Sequence, residues 1–574
     1  MADSRAAGYH PEPDTILYNG QVLTVDAAFR VARALAVRGG RIVAVGDDAD
    51  VLAAAGPDTQ RIDLGGRTVL PGFVDTHAHL DREGLRRAYP DLQGCRSIAD
   101  VQAVVRREAA RRRPGEWIVV LPLGEPPFHL APEQTLAERR YPDRHDLDQA
   151  APDNPVWVRS VWGLWNNTPP FVHVLNSAAL RACGVSADTP PPASTVEIER
   201  DAEGALTGRI LERHFMPVAE YTLLRGAPRF TRQERLDGLR LAMRLHAAAG
   251  TTSIYEGHGI AAEVLSVYKE LHDAGEQRVR AYLPISPPPW ASLDEAERQI
   301  RDWVHYAAGP GFGDAWLKVG GLYLGYPHEW SELTPLAQAA WPYTGWAGFA
   351  DQYHPLDEYV ALCRLAARFR LRVTTAAAYN LDEVLTIWEA IDRDYPIRDL
   401  RWVLMHANKM EPARDFPRIK RLGCVITSQP ASYVYRSGLA LWQKDPEPDK
   451  LMAYRAWSEA GLPWALSTDN KPYWLAFTLW VAVTRRERLE GRVLSPEQRL
   501  SVPQALRALT YAGAQVCFEE GEKGSLEVGK LADLQVLDAD PLTVDPDALQ
   551  HLRVELTMVD GAVVHSTGAV AAAT

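Results

Sequence analysis

The sequence predicts an α/β chain: a (β/α)8 TIM-like barrel, a β-sandwich built from both chain ends, and an inserted subdomain. Three patterns point there. Short strand signals cluster at the two ends, and short apolar strands alternate with longer amphipathic stretches between them. One stretch rich in Pro, Trp and Asn breaks the alternation. At 574 residues the chain exceeds the roughly 250–300 at which a single core stops growing, so several units are expected.

The first strand signals are Thr15 to Tyr18, Ala34 to Val37 and Ile42 to Val45, divided by Asn19-Gly20 and Gly39-Gly40 turns. Arg61 to Leu70 adds another around Gly65-Gly66. The far end repeats the style in Leu534 to Leu537 and Val554 to Val559, with an Asp560-Gly561 turn before Ala562 to Val564. Each end is too small to bury a core alone, so residues 1–70 and 516–574 are expected to form one composite sandwich. Between them, Thr231-Arg232-Gln233-Glu234 fits a capping box opening a helix with Leu236, Leu239 and Met243 near one face. Gly250 to Tyr255 reads as the next strand. Leu356 to Arg368 is helical again, and Leu371 to Ala376, Arg401 to His406, Cys424 to Ser428 and Trp464 to Thr468 are further strands. This alternation predicts a barrel over residues 71–515, with the insert at about 126–225.

The composition, 46% apolar and 24% charged, is that of a soluble enzyme, and the net charge of −12 argues against nucleic acid or an anionic membrane as partner. Five scattered cysteines without a C-x-x-C pair suggest free thiols in a reducing compartment. No apolar run approaches the ~20 residues of a membrane span, and the N-terminus lacks a signal-peptide core. A cytoplasmic protein acting on a small molecule is expected. A homo-oligomer is compatible with the sequence, although no segment marks an interface.

His77 and His79 end the apolar run from Val69 to Val74. Residues two apart on a strand face one side, so both imidazoles can converge on one ion. A bare H-x-H is more often two exposed histidines after a strand, but Pro71-Gly72 and Asp75 around this pair favour a site. The segment Pro71-Gly72-Phe73-Val74-Asp75-Thr76-His77-Ala78-His79-Leu80 resembles the first-strand signature of the metal-dependent amidohydrolase superfamily. Asn176 to Leu180, Asp201 to Gly204 with Thr207-Gly208, and Lys523 to Asp533 resemble its amidohydrolase 3 (YtcJ-like) branch. The resemblance runs through essentially the whole chain in order. It implies hydrolysis of a non-peptide C–N bond by metal-activated water.

The resemblance also implies site residues. Lys318 matches the fourth-strand lysine that can be carboxylated to bridge two metals, although a lysine covering apolar surface reads equally well. His406 matches the sixth-strand histidine and Asp469 the eighth-strand aspartate. Asp469 is the expected weak metal ligand and proton shuttle, with His406 polarising the substrate carbonyl. The fifth strand departs from the pattern. Thr374 or Ala376 stands where a histidine is expected, and neither replaces imidazole.

One divalent ion is therefore expected rather than two, zinc first, with manganese, iron or cobalt as alternatives. It would be held by His77, His79 and Asp469 with Lys318 or His406. His258, His328 and His354 are possible substitute ligands that spacing does not separate. Trp162, Trp165, Tyr323 and His258 are the candidate substrate contacts, for a compact apolar or aromatic amide, cyclic amide or N-formyl compound. Other outcomes are a lactone, ester or carbamate hydrolase, a lyase or isomerase on the same scaffold, or a barrel that binds without catalysis.

Overall fold

Our computed structural model of the chain describes residues 12–124, 129, 131–160, 169–327, 331–349, 354–570 and 572–573. Eight strands pair in parallel in chain order: β1 (Phe73–Ala78), β2 (Thr251–Glu256), β3 (Arg280–Ile285), β4 (Leu317–Tyr323), β5 (Val373–Ala376), β6 (Val403–Met405), β7 (Val425–Ser428) and β8 (Trp464–Leu466). Covered on both faces, such strands are apolar nearly throughout. Val74, Tyr255, Tyr282, Tyr323, Val403, Met405, Val425 and Ala465 fill the barrel interior. Outside, helices such as Arg232–Ala248, opened by the Thr231/Glu234 capping box, pack against the strands.

The seam between β8 and β1 has no ladder among the described residues. It is stitched instead by Thr76 Oγ1 donating to the Leu466 carbonyl (3.1 Å) and Asp469 N donating to the His77 carbonyl (2.8 Å). The bonds across the barrel seam thus also tie Asp469 to His77 at the carboxyl rim.

Both chain ends contribute to two further sheets. In one, Ala572–Ala573 pairs with Gln60–Asp63; in the other, Thr68–Pro71 pairs with Leu534–Leu537, Val69 opposite Val536. Leu17, Val22, Leu35, Ile62, Val69, Leu534, Val536 and Leu556 share a core. The insert holds its own five-stranded sheet, ordered Val196–Arg200, Leu206–Glu212, Phe171–Leu175, Val156–Val158 and Ile118–Val120. It therefore starts ahead of Pro126, because Ile118–Val120 pairs in parallel with Val156–Val158. Trp157 is buried in that core and donates from Nε1 to His173 Nδ1 at 3.1 Å. It packs the insert. Trp162 and Trp165 lie outside the described residues.

Candidate active site

The carboxyl ends of the strands, where barrel active sites collect their residues, bring four imidazoles and a carboxylate together. His77 lies in β1 and His79 just beyond it. His258 follows β2 across Gly257, His406 follows β6, and Asp469 comes shortly after β8. His77 stands at the centre, its ring centroid 5.0 Å from that of His79, 5.1 Å from His258 and 4.6 Å from His406. Asp469 Oδ1 is 3.4 Å from His79 Nε2 and 3.7 Å from His77 Nε2. A Cβ on Gly257 would lie 2.5 Å from the His77 ring, so glycine there is what lets β2 approach.

Two of these residues pay in backbone conformation. His406 (φ 56°) and Asp469 (φ 53°) are both left-handed, as is Asn470 (φ 54°). Such positions cost about 1–3 kcal/mol each and persist where surrounding bonds over-determine them. Here Asp75 accepts from Thr468 N (3.0 Å), Thr468 Oγ1 (2.5 Å) and His77 N (3.2 Å). Burial pushes the Asp75 carboxyl up to about 7 against those bonds. Asn470 brackets His79, its Oδ1 accepting from His79 N (3.0 Å) and its Nδ2 donating to His79 O (2.9 Å).

The nitrogens are arranged for a cation. Nδ1 of His79 is 2.5 Å from Glu256 Oε1, which turns Nε2 toward the cluster. His77 Nδ1 and Nε2, His79 Nε2 and His258 Nδ1 are buried without a hydrogen-bond partner among the described residues. Buried polar atoms are nearly always bonded, so this concentration of bare nitrogen fits a metal ion. Burial, reinforced by the neighbouring imidazoles, holds His77 and His258 well below the ordinary imidazole range. Burial likewise pulls His406 down to about 4. Neutral imidazole is the ligand form. Burial alone would raise Asp469, but the Lys471 ammonium and the nearby imidazoles outweigh it and hold the carboxyl well below its usual range.

The Nδ1 of His406 is 3.0 Å from the Tyr433 hydroxyl. Phe349, 4.6 Å from the His258 ring, and Tyr323, 5.1 Å from it, form an apolar wall. Tyr323 thus lies beside the cluster.

Lys318 does not join the site. It is the second residue of β4, at the opposite end of the barrel, and its Nζ binds Glu519 Oε1 at 2.6 Å. That ion pair faces away from the imidazole cluster. The Gly320-Gly321 pair, with Gly321 at φ 77°, distorts β4 beside a register shift of β3, and Tyr323 becomes the inward residue at the site end. Just before β5, Arg372 stacks on interior Tyr255, and on it Thr374 Oγ1 meets the Tyr255 hydroxyl at 2.6 Å. Period two then makes Ala376 the inward residue at the carboxyl end, and no imidazole comes from this strand.

Of the possible substitutes, His258 is in the cluster. His354 faces Glu358 at 3.4 Å, and His328 lies outside the described residues. Glu256, Lys471, Tyr433 and Phe349 were not singled out by sequence. Glu256-Gly257-His258 had a usable signal, since it directly follows the strand predicted to end at Tyr255.

A model described as the amidohydrolase family matches residues 60–565. The chain is 29% identical over 565 residues to the N-substituted formamide deformylase of Arthrobacter pascens, covering 96% of this chain and 97% of that protein. It is 24% identical over 523 residues to the putative amidohydrolase YtcJ of Bacillus subtilis (strain 168), covering 89% and 91%. In fold it is similar to an uncharacterized metal-dependent hydrolase from Pyrococcus horikoshii OT3, with TM-score 0.66 and 20% identity over 93% of this chain and 99% of the other. With a family match over most of its length, the chain belongs to the amidohydrolase family and is a hydrolase acting on C–N bonds other than peptide bonds.

Proposed function

We propose that the chain uses one divalent ion to hydrolyse the C–N bond of a small, mainly apolar or aromatic N-formyl compound or amide. The bare nitrogens of His77, His79 and His258 carry this reading. Three neutral imidazoles with a position left open suit catalytic zinc. A second group, His77 with His406 and Asp469, shares His77, but Tyr433 and Lys471 already engage its other two members. Lys318 at the far end and Ala376 on β5 support one ion rather than two.

Bound there, the ion would polarise the scissile carbonyl and lower the pKa of a water from about 15.7 to about 7. Asp469, kept ionised, takes the proton of the attacking water on Oδ1 and returns it to the leaving nitrogen. With the Tyr433 hydroxyl donating to Nδ1, His406 carries its proton on Nε2 and donates to the carbonyl oxygen as negative charge develops there. Phe349 and Tyr323 exclude water beside the reacting group. The formyl preference is supported by the relative in Arthrobacter pascens, whose name gives N-substituted formamides as its substrates.

The test is metal analysis of the purified protein, then formate release from N-alkyl and N-aryl formamides beside hydantoins, aryl lactones and carbamates. About one ion per chain and formamide turnover are expected. Less than about a tenth of an ion, with no gain on adding zinc or manganese, would overturn the metal reading. Lactone or carbamate turnover without formamide turnover would overturn the substrate class.

A further inference from the structure

The two oxygens of Asp469 have different neighbours. Oδ1 faces the nitrogens of His79 and His77 at 3.4 and 3.7 Å, whereas Oδ2 lies 2.5 Å from Lys471 Nζ. Both side chains are buried, each residue only 4% or less exposed. The pairing spans one intervening residue and depends on the shape of the loop. Asp469 N is tied to the His77 carbonyl, Lys471 N donates to the Thr468 carbonyl at 3.2 Å, and Asn470 is fastened to both sides of His79. With the loop pinned at three points, the lysine is folded back onto the carboxylate two residues before it. A buried ammonium is costly unless paired, and this one is placed where an ion, a water and a substrate must also fit.

A carboxylate beside a divalent cation has two options. It can bind through one oxygen, or rotate and chelate through both. Chelation spends the lone pairs that a general base needs. We infer that Lys471 is a positioning residue for the hydrolytic step: by occupying Oδ2 it prevents Asp469 from chelating and presents Oδ1 to the histidine cluster and the reacting water. This rests on the role of Asp469 as proton acceptor. Arginine should be a poor substitute, because its planar fork engages both oxygens of a carboxylate.

The experiment compares wild type, Lys471→Met and Lys471→Arg for zinc affinity by chelator competition, and for kcat and KM on the best substrate of the panel. Lys471→Met should bind zinc at least as tightly as wild type while kcat falls about a hundredfold, as misplacement of a catalytic group by an ångström does. KM should stay within about threefold. Lys471→Arg should fold and bind zinc, yet recover no more than about a tenth of kcat.

A Lys471→Met kcat within about threefold of wild type overturns the inference, as does a rise in KM at unchanged kcat, which would make Lys471 a substrate contact. Zinc binding weakened about tenfold also overturns it, since the lysine would then be supporting the ligands. If Lys471→Met does not fold, Lys471→Arg decides: near-normal kcat would show that any positive charge suffices. If wild type turns over nothing in the panel, the proposed function fails separately, and the zinc affinities still test the placement of Asp469.

Discussion

Glu256→Gln removes one charge from the site and almost nothing else. Glu256 and His79 are each 1% exposed, and Oε1 lies 2.5 Å from Nδ1. The carboxylate keeps the His79 proton on Nδ1, leaving the Nε2 lone pair for a cation. Glutamine still offers an oxygen to Nδ1, so the tautomer survives while the charge assistance goes. A bond to a charged group is worth about 1.5–3 kcal/mol and a neutral one about 0.5–1.5. The exchange should therefore cost about 1–1.5 kcal/mol, roughly five- to twelvefold in zinc affinity. Glu256→Leu removes the acceptor as well, which should cost about 10–100-fold. Chelator competition on metal-free protein measures both, with a melting curve to show that the barrel is intact. Affinities within about twofold of wild type for both variants would refute the orienting role, and with it the assignment of His79 Nε2 as a ligand atom.

Other perturbations separate the parts of the site. His258→Ala should leave less than about a tenth of an ion per chain, whereas His406→Ala should keep most of its metal and lose about 10²–10³ in kcat; metal analysis with the reverse pattern would move the ion to His77, His406 and Asp469. Gly257→Ala drives a Cβ to 2.5 Å from the His77 ring, so zinc affinity should fall by at least about tenfold, measured by the same competition. Lys318→Met should change metal content and kcat by less than about twofold, because Glu519 keeps Lys523 at 2.5 Å and the lysine sits at the amino end of β4. Metal loss in Lys318→Met would return that residue to the site.

How much of this was legible depends on the range of the signal. The His77/His79 pair is local and follows from period two, whereas His406 and Asp469 were picked out by the family resemblance and needed only the barrel to converge. Lys318 was misleading because the resemblance matched a lysine to the fourth strand without saying which end of that strand it occupies. The Gly320-Gly321 distortion also breaks the count from Lys318 to Tyr323. The insert's first strand was missed because Ile118–Val120 is held by pairing to Val156–Val158, a contact local composition does not encode. The Lys471 pair was invisible for another reason. It forms in a loop whose two consecutive left-handed residues, Asp469 and Asn470, are encoded by no periodic pattern.

The missing fifth-strand histidine and the misplaced lysine have one physical consequence. A site built on His77, His79 and His258 uses neutral ligands, which leave the charge of a divalent ion undiminished. Ligand carboxylates, or a carboxylated lysine, would each cancel part of it. Since acidification of water follows the local cation charge, the imidazole set makes the stronger acidifier and has less need of a second ion. The same undiminished charge would draw Asp469 into chelation, and the carboxylate would then be lost as a base. The Lys471 ammonium at Oδ2 opposes that pull. The three-imidazole ligand set and the lysine that restrains the aspartate are then coupled through the charge of the ion.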